Sequence, residues 1–304
     1  MRIMYYNITY RCNSNCMFCA ADYPLTHSQR EMTLEEFDRE LKAQCVGVDD
    51  RVIINGGEPT IHKDFLLFLD AVSRRGATID LFTNGIRLQD KSFAEKIVAR
   101  DRIHIRIPLF GAAANTHDRL TGHGGNFDAT IRGIDNICPF LSEGVSLEIK
   151  MLLSKATVIE NERIYDLICT RWHNINIKVS LNPLLISDSV IRHKEMFIMP
   201  YDELVRSSEV LIRRIVADQQ KFSIDLIPYC AFPDEELIAL RRGNRQIDKQ
   251  YYTDPDTSII LQNARKKGKC RQCKYVSVCN GFSSGYIRYF GEAAIKPYSV
   301  PEAE

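Results

Sequence analysis

Three cysteines near the N-terminus form a Cys-x3-Cys-x2-Cys pattern: Cys12, Cys16 and Cys19. Thiolates are soft ligands that suit iron–sulfur centres, and three of them can bind three irons of a cubane cluster. A fourth cysteine would close the cluster, and a structural zinc site would also use four ligands. The missing fourth ligand leaves one iron open, which predicts chemistry at the metal rather than simple electron transport.

A second group of four cysteines comes from two later segments: Cys230, Cys270, Cys273 and Cys279. Four thiolates make a closed metal site, and their spacing alone is compatible with zinc. The remaining thiols, Cys45, Cys138 and Cys169, accompany apolar residues at helical spacing and are predicted to be core side chains.

The composition is that of an ordinary globular chain. Its 304 residues are 45% hydrophobic and 26% charged, with a net charge of +1. This charge gives no support for binding to nucleic acid or to a membrane surface. The apolar runs are short, and the N-terminus lacks the basic-then-apolar pattern of a signal peptide. These features predict a cytoplasmic protein, in which ten cysteines indicate metal binding or catalysis rather than disulfides.

Short β-rich runs alternate with amphipathic stretches over the first 185 residues. The predicted strands are Ile3–Thr9, Arg51–Asn55, Thr78–Thr83, Ile103–Pro108, Val145–Leu152 and Ile175–Leu181. The helices between them are predicted at 33–45, 64–75, 90–100, 126–140 and 161–173. Six βα units imply a parallel sheet, and six are too few to close an eight-stranded barrel. The predicted fold is therefore an α/β partial (β/α)6 TIM-like barrel.

The alternation lapses after about residue 185. A helix is predicted at 202–217, a further strand at Phe222–Ile227, and an exposed, charged connection at 240–268. We expect three parts: residues 1–185 as the barrel core, residues 186–221 as a helical connection, and residues 222–304 as a small cysteine-rich C-terminal domain.

Two short polar motifs follow predicted strands. Gly56-Gly57-Glu58-Pro59 follows the second strand, and Thr83-Asn84-Gly85 follows the third. In βα folds, ligands gather at the carboxyl ends of the strands, where the first cysteine group also lies. The two glycines allow close backbone approach, and Pro59 suits a helix start.

The cysteine triplet, with GGEP at 56–59 and TNG at 83–85, resembles the radical S-adenosylmethionine (SAM) superfamily over roughly residues 1–185. The resemblance implies that a [4Fe–4S] cluster chelates SAM through its open iron, and that an electron from a flavodoxin- or ferredoxin-type donor generates a 5′-deoxyadenosyl radical. It also implies a set of residues around SAM: Phe18, Gly56, Gly57, Glu58, Pro59, Thr83 and Asn84.

The fourth strand departs from the family pattern. It ends Pro108-Leu109-Phe110-Gly111, without the Ser and Asp often found there, although His117-Asp118 is retained. His117-Asp118 is predicted to cap a helix or turn, with a position facing the substrate as the alternative.

Period-two alternation places two charged side chains on one face of the fifth strand. Because buried charges are costly unless they are paired or ligand-bound, Glu148 and Lys150 are candidate catalytic residues. On the sixth strand, Ser180 and Asn182 are candidates for contact with the adenosine.

The spacing Cys270-x2-Cys273-x5-Cys279, followed by a glycine, resembles the SPASM or shorter twitch domains of many radical SAM enzymes. This resemblance implies one auxiliary [4Fe–4S] cluster, with zinc as the alternative. Enzymes of this type modify ribosomal peptides or small metabolites. The absence of an extra N-terminal domain before the first strand predicts a small-molecule substrate, or a peptide presented by a separate recognition protein. The other hypotheses are an RNA-modifying enzyme and a non-catalytic iron–sulfur protein.

Overall fold

The computed structural model describes residues 2–19, 31–243, 250–252, 266 and 268–298. A parallel sheet runs through this part of the chain. Its strands are β1 (Ile3–Thr9), β2 (Arg51–Gly56), β3 (Thr78–Phe82), β4 (Ile103–Leu109), β5 (Val145–Leu153), β6 (Ile177–Pro183), β7 (Phe222–Ile224) and β8 (Gln250–Tyr252). The order β7-β6-β5-β4-β3-β2-β1-β8 places each strand beside its predecessor, except that β8 lies on the far side of β1. The first six strands form the predicted partial barrel.

The helices connect successive strands and continue after β6. They are α1 (Leu34–Ala43), α2 (Phe65–Ser73), α3 (Lys91–Val98), α4 (Ala114–Thr121), α5 (Asn126–Ile137), α6 (Glu160–Arg171), α7 (Asp188–Arg192), α8 (Lys194–Phe197), α9 (Tyr201–Ser207), α10 (Glu209–Ala217), α11 (Glu235–Gly243) and α12 (Ser284–Phe290). The start of α1 is the predicted capping box, in which Thr33 and Glu36 each accept a hydrogen bond from the other's backbone. Within the described ranges, no helix combines the length and apolar composition needed to cross a bilayer.

The two faces of the sheet differ in character. Along β4, Ile103, Ile105 and Ile107 are buried in the large core that includes the helices. The alternating side chains of His104 and Arg106 lie on the opposite face, which we call the inner face. The outer face therefore stabilises the barrel, and the inner face is available for polar groups.

Several predicted boundaries were wrong. The sixth strand was predicted from Ile175, but Asn174 has a φ of 64° and residues 175–176 remain in the turn after α6. The helix predicted at 202–217 is two helices that meet at Ser208. The strand predicted from Phe222 ends at Ile224, and Leu226 has a φ of 60°. Local turns with positive φ interrupted apolar runs that looked continuous in the sequence.

Two further expectations are corrected in the same way. Cys45, predicted as a core thiol, is exposed and has a φ of 48° at the end of α1. The segment predicted as an exposed connection at 240–268 contains β8, which pairs in parallel with β1. The rest of that segment lies mostly outside the described residues.

Candidate active site

The loop after β1 carries the first cysteine group. Cys12 is exposed, and Cys16 and Cys19 are partly buried. Desolvation of the sulfur raises the pKa of Cys12 to about 11 and raises that of Cys16 further, and the charge of Cys19 adds to both shifts. The Cys12 sulfur accepts a hydrogen bond from the Ser14 backbone N–H at 3.4 Å. The three thiols therefore lie within electrostatic reach of one another on one short loop.

Side chains from distant elements hold this loop. The Asn84 amide donates to Asn13 Oδ1 at 2.7 Å, and the Asn126 amide donates to Ser14 Oγ at 3.1 Å. Backbone hydrogen bonds from residues 15 and 17 reach the carbonyls at the end of α4. The first cysteine group is thus anchored to the turn after β3 and to the α4–α5 corner.

The two glycines after β2 allow close contact with this loop. A Cβ on Gly57 would lie 2.2 Å from the carbonyl oxygen of Arg11, and a Cβ on Gly56 would lie 2.2 Å from that of Thr9. The N–H groups of Gly57 and Glu58 donate to those same two carbonyls at 2.8 Å. An ammonium ligand donates hydrogen bonds, so the groups of this turn that could bind it are the backbone carbonyls.

The Glu58 carboxylate is buried and joins two loops rather than facing outward. Its Oε1 accepts hydrogen bonds from the hydroxyls of Thr60 and Thr83 at 2.6 Å, and its Oε2 accepts one from the Asn84 backbone N–H at 2.7 Å. Burial raises the pKa of Glu58, and these hydrogen bonds oppose the rise. Pro59 begins a 3₁₀ turn at Pro59–Ile61, as predicted. Glu58 and Thr83 therefore hold together the turns that follow β2 and β3.

Phe18 is buried among apolar side chains beside the third cysteine. Its ring packs edge-on against Phe110, with centroids 4.8 Å apart, and against Phe197 at 5.5 Å. The Ser189 hydroxyl donates to the Cys19 carbonyl at 2.7 Å. The aromatic residue before Cys19 thus fixes the end of the loop against α7 and α8.

The inner face carries a chain of ion pairs. Arg106 donates two hydrogen bonds to the Asp80 carboxylate at 2.7 and 2.8 Å and lies 3.5 Å from Glu148 Oε1. Glu148 Oε2 lies 3.0 Å from Lys178 Nζ and 3.1 Å from His104 Nε2. Burial alone would raise the pKa of Glu148, but the His104 hydrogen bond and the neighbouring cations hold it well below its usual range. Glu148 is therefore a paired, ionised carboxylate.

Lys150 lies on the same face but is placed differently. Its Nζ lies 5.3 Å from the centre of the Phe82 ring, and none of the described acceptors is within hydrogen-bonding distance of it. In the parallel register, Lys150 pairs with Ser180, whose buried hydroxyl has no partner among the described residues. Asn182 Oδ1, two residues further along β6, is also buried without a described partner.

The His117-Asp118 pair has the predicted turn role. The Asp118 carboxylate accepts hydrogen bonds at 2.7 Å from the backbone N–H groups of Gly125 and Phe127, at the start of α5. His117 Nδ1 accepts one from the Phe110 N–H at 3.3 Å, and burial lowers the pKa of His117 to about 4. His117 is therefore a neutral structural acceptor.

The four thiols of the second cysteine group lie in one region of the structure. Burial raises the pKa of Cys230 to about 12. The negative charge of Cys279 also raises it, and those of Cys273 and Cys270 raise it to a smaller extent. Cys230 lies in the 3₁₀ turn Tyr229–Ala231. The Gly281 N–H donates to the Cys279 sulfur at 3.3 Å. Cys270, Cys273 and Cys279 are thus all close enough to Cys230 for their charges to affect its pKa.

Both cysteine groups have the ligand atoms that iron–sulfur clusters use. Thiolate sulfurs bind the irons, and N–H groups commonly donate hydrogen bonds to those sulfurs. In the part of the chain that the structure describes, no three Cys, His, Asp or Glu side chains converge closely enough to share one metal ion. A tetrahedral zinc would bring its sulfurs to about 3.8 Å from each other, given Zn–S bonds of about 2.3 Å. A cubane cluster instead gives each thiolate its own iron, so it requires no such convergence.

Sequence reasoning missed the residues that anchor the first loop. Asn13, Ser14 and Asn126 are ordinary polar residues without a motif, and their partners lie 71 to 112 positions away. Gly122 carried a weak signal as a glycine after a helix; a Cβ there would lie 2.4 Å from the Asn15 carbonyl.

Comparison with known proteins agrees with this site. A family profile described as the Radical SAM superfamily matches residues 6–152. Among curated proteins, the chain is similar to Fe-coproporphyrin III synthase from Methanosarcina barkeri, with 28% identity over 55% of this chain and 40% of that protein. It is also similar to mycofactocin maturase MftC from Mycolicibacterium smegmatis, with 30% identity over 43% of this chain and 33% of that protein. The chain thus spans well under half the length of these relatives.

Solved structures show the same fold at low sequence identity. Streptococcus suis SuiB bound to its precursor peptide SuiA matches 95% of this chain and 72% of its own, with a TM-score of 0.63 and 18% identity. The protein anSMEcpe with bound AdoMet matches 93% of this chain and 89% of its own, with a TM-score of 0.64 and 13% identity. Both matches extend past β6 into the region of the second cysteine group.

Proposed function

Because residues 6–152 of this chain form a radical SAM domain, we propose that the protein cleaves SAM reductively and abstracts a hydrogen atom from a substrate. The observation that carries this proposal is the anchored loop. Cys12, Cys16 and Cys19 lie together on it, beside the glycine turn and Asn84, at the carboxyl ends of β1 to β3. Three thiolates with a fourth position open are the donor set that this chemistry needs.

The first cysteine group would hold a [4Fe–4S] cluster, which when bound and reduced supplies the electron that releases the 5′-deoxyadenosyl radical from SAM. The residues of the chain orient and enclose the cofactor. The carbonyls of Gly56 and Gly57 would accept hydrogen bonds from the SAM amino group. Asn84, held by Glu58 and Asn13, would lie near the ribose. Phe18 and its aromatic neighbours exclude water from one side of the loop.

The second cysteine group would hold an auxiliary cluster in a SPASM- or twitch-like domain at residues 222–304. The charges of Cys270, Cys273 and Cys279 each raise the pKa of Cys230, which supports a shared site. Fully ligated by four thiolates, it would pass electrons to or from the substrate radical rather than bind substrate. We also propose that the barrel core ends at residue 185 and that the helical connection ends at residue 221. A flavodoxin- or ferredoxin-type protein in the cytoplasm would supply the first electron.

We propose a peptide as the substrate. The name of MftC describes a maturase, and SuiB was solved with a precursor peptide. A small metabolite is the second candidate, because the chain is also 25% identical over 163 residues to a probable GTP 3′,8-cyclase from Thermococcus kodakarensis. A separate protein would present the peptide if no other part of the enzyme does. A net charge of +1 gives the RNA-modifying alternative no support.

The test measures 5′-deoxyadenosine from the reconstituted, reduced protein. The wild type should form it, and the triple variant Cys12→Ala, Cys16→Ala, Cys19→Ala should not. The matched control replaces Cys45, Cys138 and Cys169 with alanine, since these thiols lie in neither group, and it should retain cleavage. Cleavage by the first triple variant would exclude the proposed mechanism. A wild type that forms no 5′-deoxyadenosine with its physiological partners present would support the non-catalytic alternative.

A further inference from the structure

The helices α7 and α8, which follow β6, contact the loop of the first cysteine group. In α7, the Ser189 hydroxyl donates to the Cys19 carbonyl at 2.7 Å. In α8, the Phe197 ring packs edge-on against Phe18, with the ring centroids 5.5 Å apart. Ser189, Phe197 and Phe18 are all buried. Because packed interiors leave little free space, the position of α7 and α8 fixes the end of the loop that carries Cys19.

Four residues after Phe197, the same segment contacts the surroundings of the second cysteine group. Tyr201, at the start of α9, stacks on Tyr286 of α12 with ring centroids 4.0 Å apart, and its N–H donates to the Tyr286 hydroxyl at 3.2 Å. Burial raises the pKa of Tyr286 to about 12, and the charges of Asp202 and Cys230 add to this rise. The helix α9 also packs against the 3₁₀ turn that carries Cys230. Tyr201 thus lies beside the second group.

The connection between Phe197 and Tyr201 is short and stiff. Ile198 has φ and ψ of −85° and 127°, and Pro200 has φ and ψ of −56° and 146°, so the chain is extended between α8 and α9. The proline ring fixes its own φ and also restricts Met199 to extended conformations. Four residues span at most about 14 Å. A displacement of Tyr201 is therefore transmitted to Phe197 rather than absorbed between them.

From these contacts, and resting on the proposed function, we propose that Tyr201 is a positioning residue through which the second metal site sets the geometry of the first. Metal binding at the second group orders the turn that carries Cys230. The stacked rings of Tyr286 and Tyr201 pass this order along residues 197–201 to the Cys19 end of the first loop. The coupling limits tight SAM binding to protein whose second site can exchange an electron with the substrate radical. It is reciprocal, so SAM binding also stabilises the second site.

The ring of Tyr201, rather than its hydroxyl, carries this coupling. The hydroxyl lies 3.5 Å from Ser283 Oγ, at the limit of a hydrogen bond, whereas the ring is stacked on Tyr286 and buried. Phenylalanine at this position keeps the ring and the backbone N–H donor, and leucine removes the stack. Tyr165 of α6 provides a matched control, because it is also a buried tyrosine and its hydroxyl donates to Asp218 at 2.9 Å, away from both cysteine groups.

The test measures SAM binding by the reconstituted, reduced full chain, from the change that SAM causes in the electron paramagnetic resonance spectrum of the first cluster. A cluster closed by four thiolates has no open iron and does not respond in this way. Removing the second site with Cys270→Ala and Cys279→Ala should weaken SAM binding about fivefold or more, and Tyr201→Leu should weaken it to a similar extent. The combination of all three changes should bind SAM no more weakly than either alone. Tyr201→Phe and Tyr165→Leu should bind SAM like the wild type.

Losses that add in the combined variant would show two independent effects and overturn the proposal, and so would SAM binding that is unchanged after removal of the second site. If iron analysis shows that Tyr201→Leu loses the second set of irons, Phe197→Leu decides. That variant should keep both sets of irons, weaken SAM binding, and make removal of the second site ineffective. A wild-type spectrum that does not respond to SAM would refute the proposed function and this inference with it, whereas additive losses refute the coupling alone.

Discussion

Asn126 donates hydrogen bonds to Ser14 Oγ at 3.1 Å and to Thr121 Oγ1 at 3.0 Å, across the corner between α4 and α5. The side chain of Asn126 is buried, so its amide has no water to replace a lost partner. Through Ser14 it fixes the backbone between Cys12 and Cys16. The geometry of the first cysteine group therefore depends on a residue more than one hundred positions away.

Asn126→Ala should loosen the first cysteine group without unfolding the barrel. Removing the amide leaves two hydroxyls short of a donor, at a cost of about 1–3 kcal/mol. The reconstituted variant should release iron from the first site faster under a chelator, while iron at the second site is retained. Asn136→Ala is the matched control, because Asn136 also donates two hydrogen bonds, to the carbonyls of Leu88 and Gln89, away from the loop. Equal iron release from both variants would contradict the anchoring role.

Gly122→Ala should be strongly destabilising, and Gly124→Ala should be nearly neutral. Gly122 has a φ of 71°, and an added Cβ would lie 2.4 Å from the Asn15 carbonyl oxygen. Nothing lies within 4 Å of a Cβ at Gly124. We expect a loss of about 2 kcal/mol or more in the free energy of unfolding for the first variant and about 0.5 kcal/mol or less for the second. Denaturant unfolding of the metal-free protein measures both, and similar values would disprove the close contact.

His117 should make the fold sensitive to mild acid. Its pKa is lowered to about 4 by burial, from 6.5 in the unfolded chain. Between these values the unfolded state binds a proton that the folded state does not, so stability falls as the pH decreases through this window and is fully present above it. The shift corresponds to about 3 kcal/mol.

The check compares urea unfolding of the wild type and His117→Asn at pH 7, 6 and 5. Asparagine keeps an acceptor for the Phe110 N–H but does not titrate. The wild type should therefore lose stability relative to the variant as the pH falls. His123→Asn, a change at an exposed histidine, should follow the wild type. A pH-independent difference for His117→Asn would mean that the buried imidazole accepts its proton in the folded state.

Asp80→Asn should destabilise the inner face. The carboxylate accepts two hydrogen bonds from Arg106 and is fully buried, so its loss leaves a buried cation without its main partner. Breaking a buried pair in this way costs about 3–5 kcal/mol. Asp202→Asn weakens solvent-accessible pairs with Arg206 and Lys296 and should cost less than about 1 kcal/mol. Thermal unfolding of the two variants side by side decides the comparison.

Cys230→Ala should affect only the second metal site. If Cys230 is its fourth ligand, the wild type binds about eight irons as two clusters, and the variant loses part or all of the second set. Cys169→Ala should keep the full iron content, because that thiol packs against the core. Iron and sulfide analysis under anaerobic conditions gives the counts. Four irons with one zinc in the wild type would instead exclude the auxiliary cluster.

The sequence predicted the barrel well because its signals were local. Strands β1 to β5 follow β-rich runs bounded by polar turns, and the Thr33–Glu36 box marks α1 directly. The errors occurred where backbone conformation, not hydrophobicity, decided the outcome. Asn174 and Leu226 adopt positive φ, which apolar periodicity does not reveal.

The site was predicted in its residue types but not in its connections. The cysteines, the glycine turn and Asn84 could be identified from motifs. Two features of the site depend on contacts between distant strands. Glu58 is a buried, hydrogen-bonded carboxylate between the turns after β2 and β3, and Lys150 lacks the ion-pair partners that Glu148 has. Such pairings are set by sheet register, which a single sequence specifies only through the completed fold.

The carboxylate of Glu58 also restricts which substitutions this sequence can accept during evolution. It satisfies both threonine hydroxyls and the Asn84 N–H, so no single replacement at position 58 preserves all of those bonds. The amide nitrogen of a glutamine would face one of these donors, and an apolar residue would leave four donors without a partner, because the Thr60 backbone N–H also donates to Glu58. Relatives that lack a glutamate at this point are therefore expected to have changed positions 60 and 83 as well. The three positions form one inherited unit, which should be visible as covariation when homologous sequences are aligned.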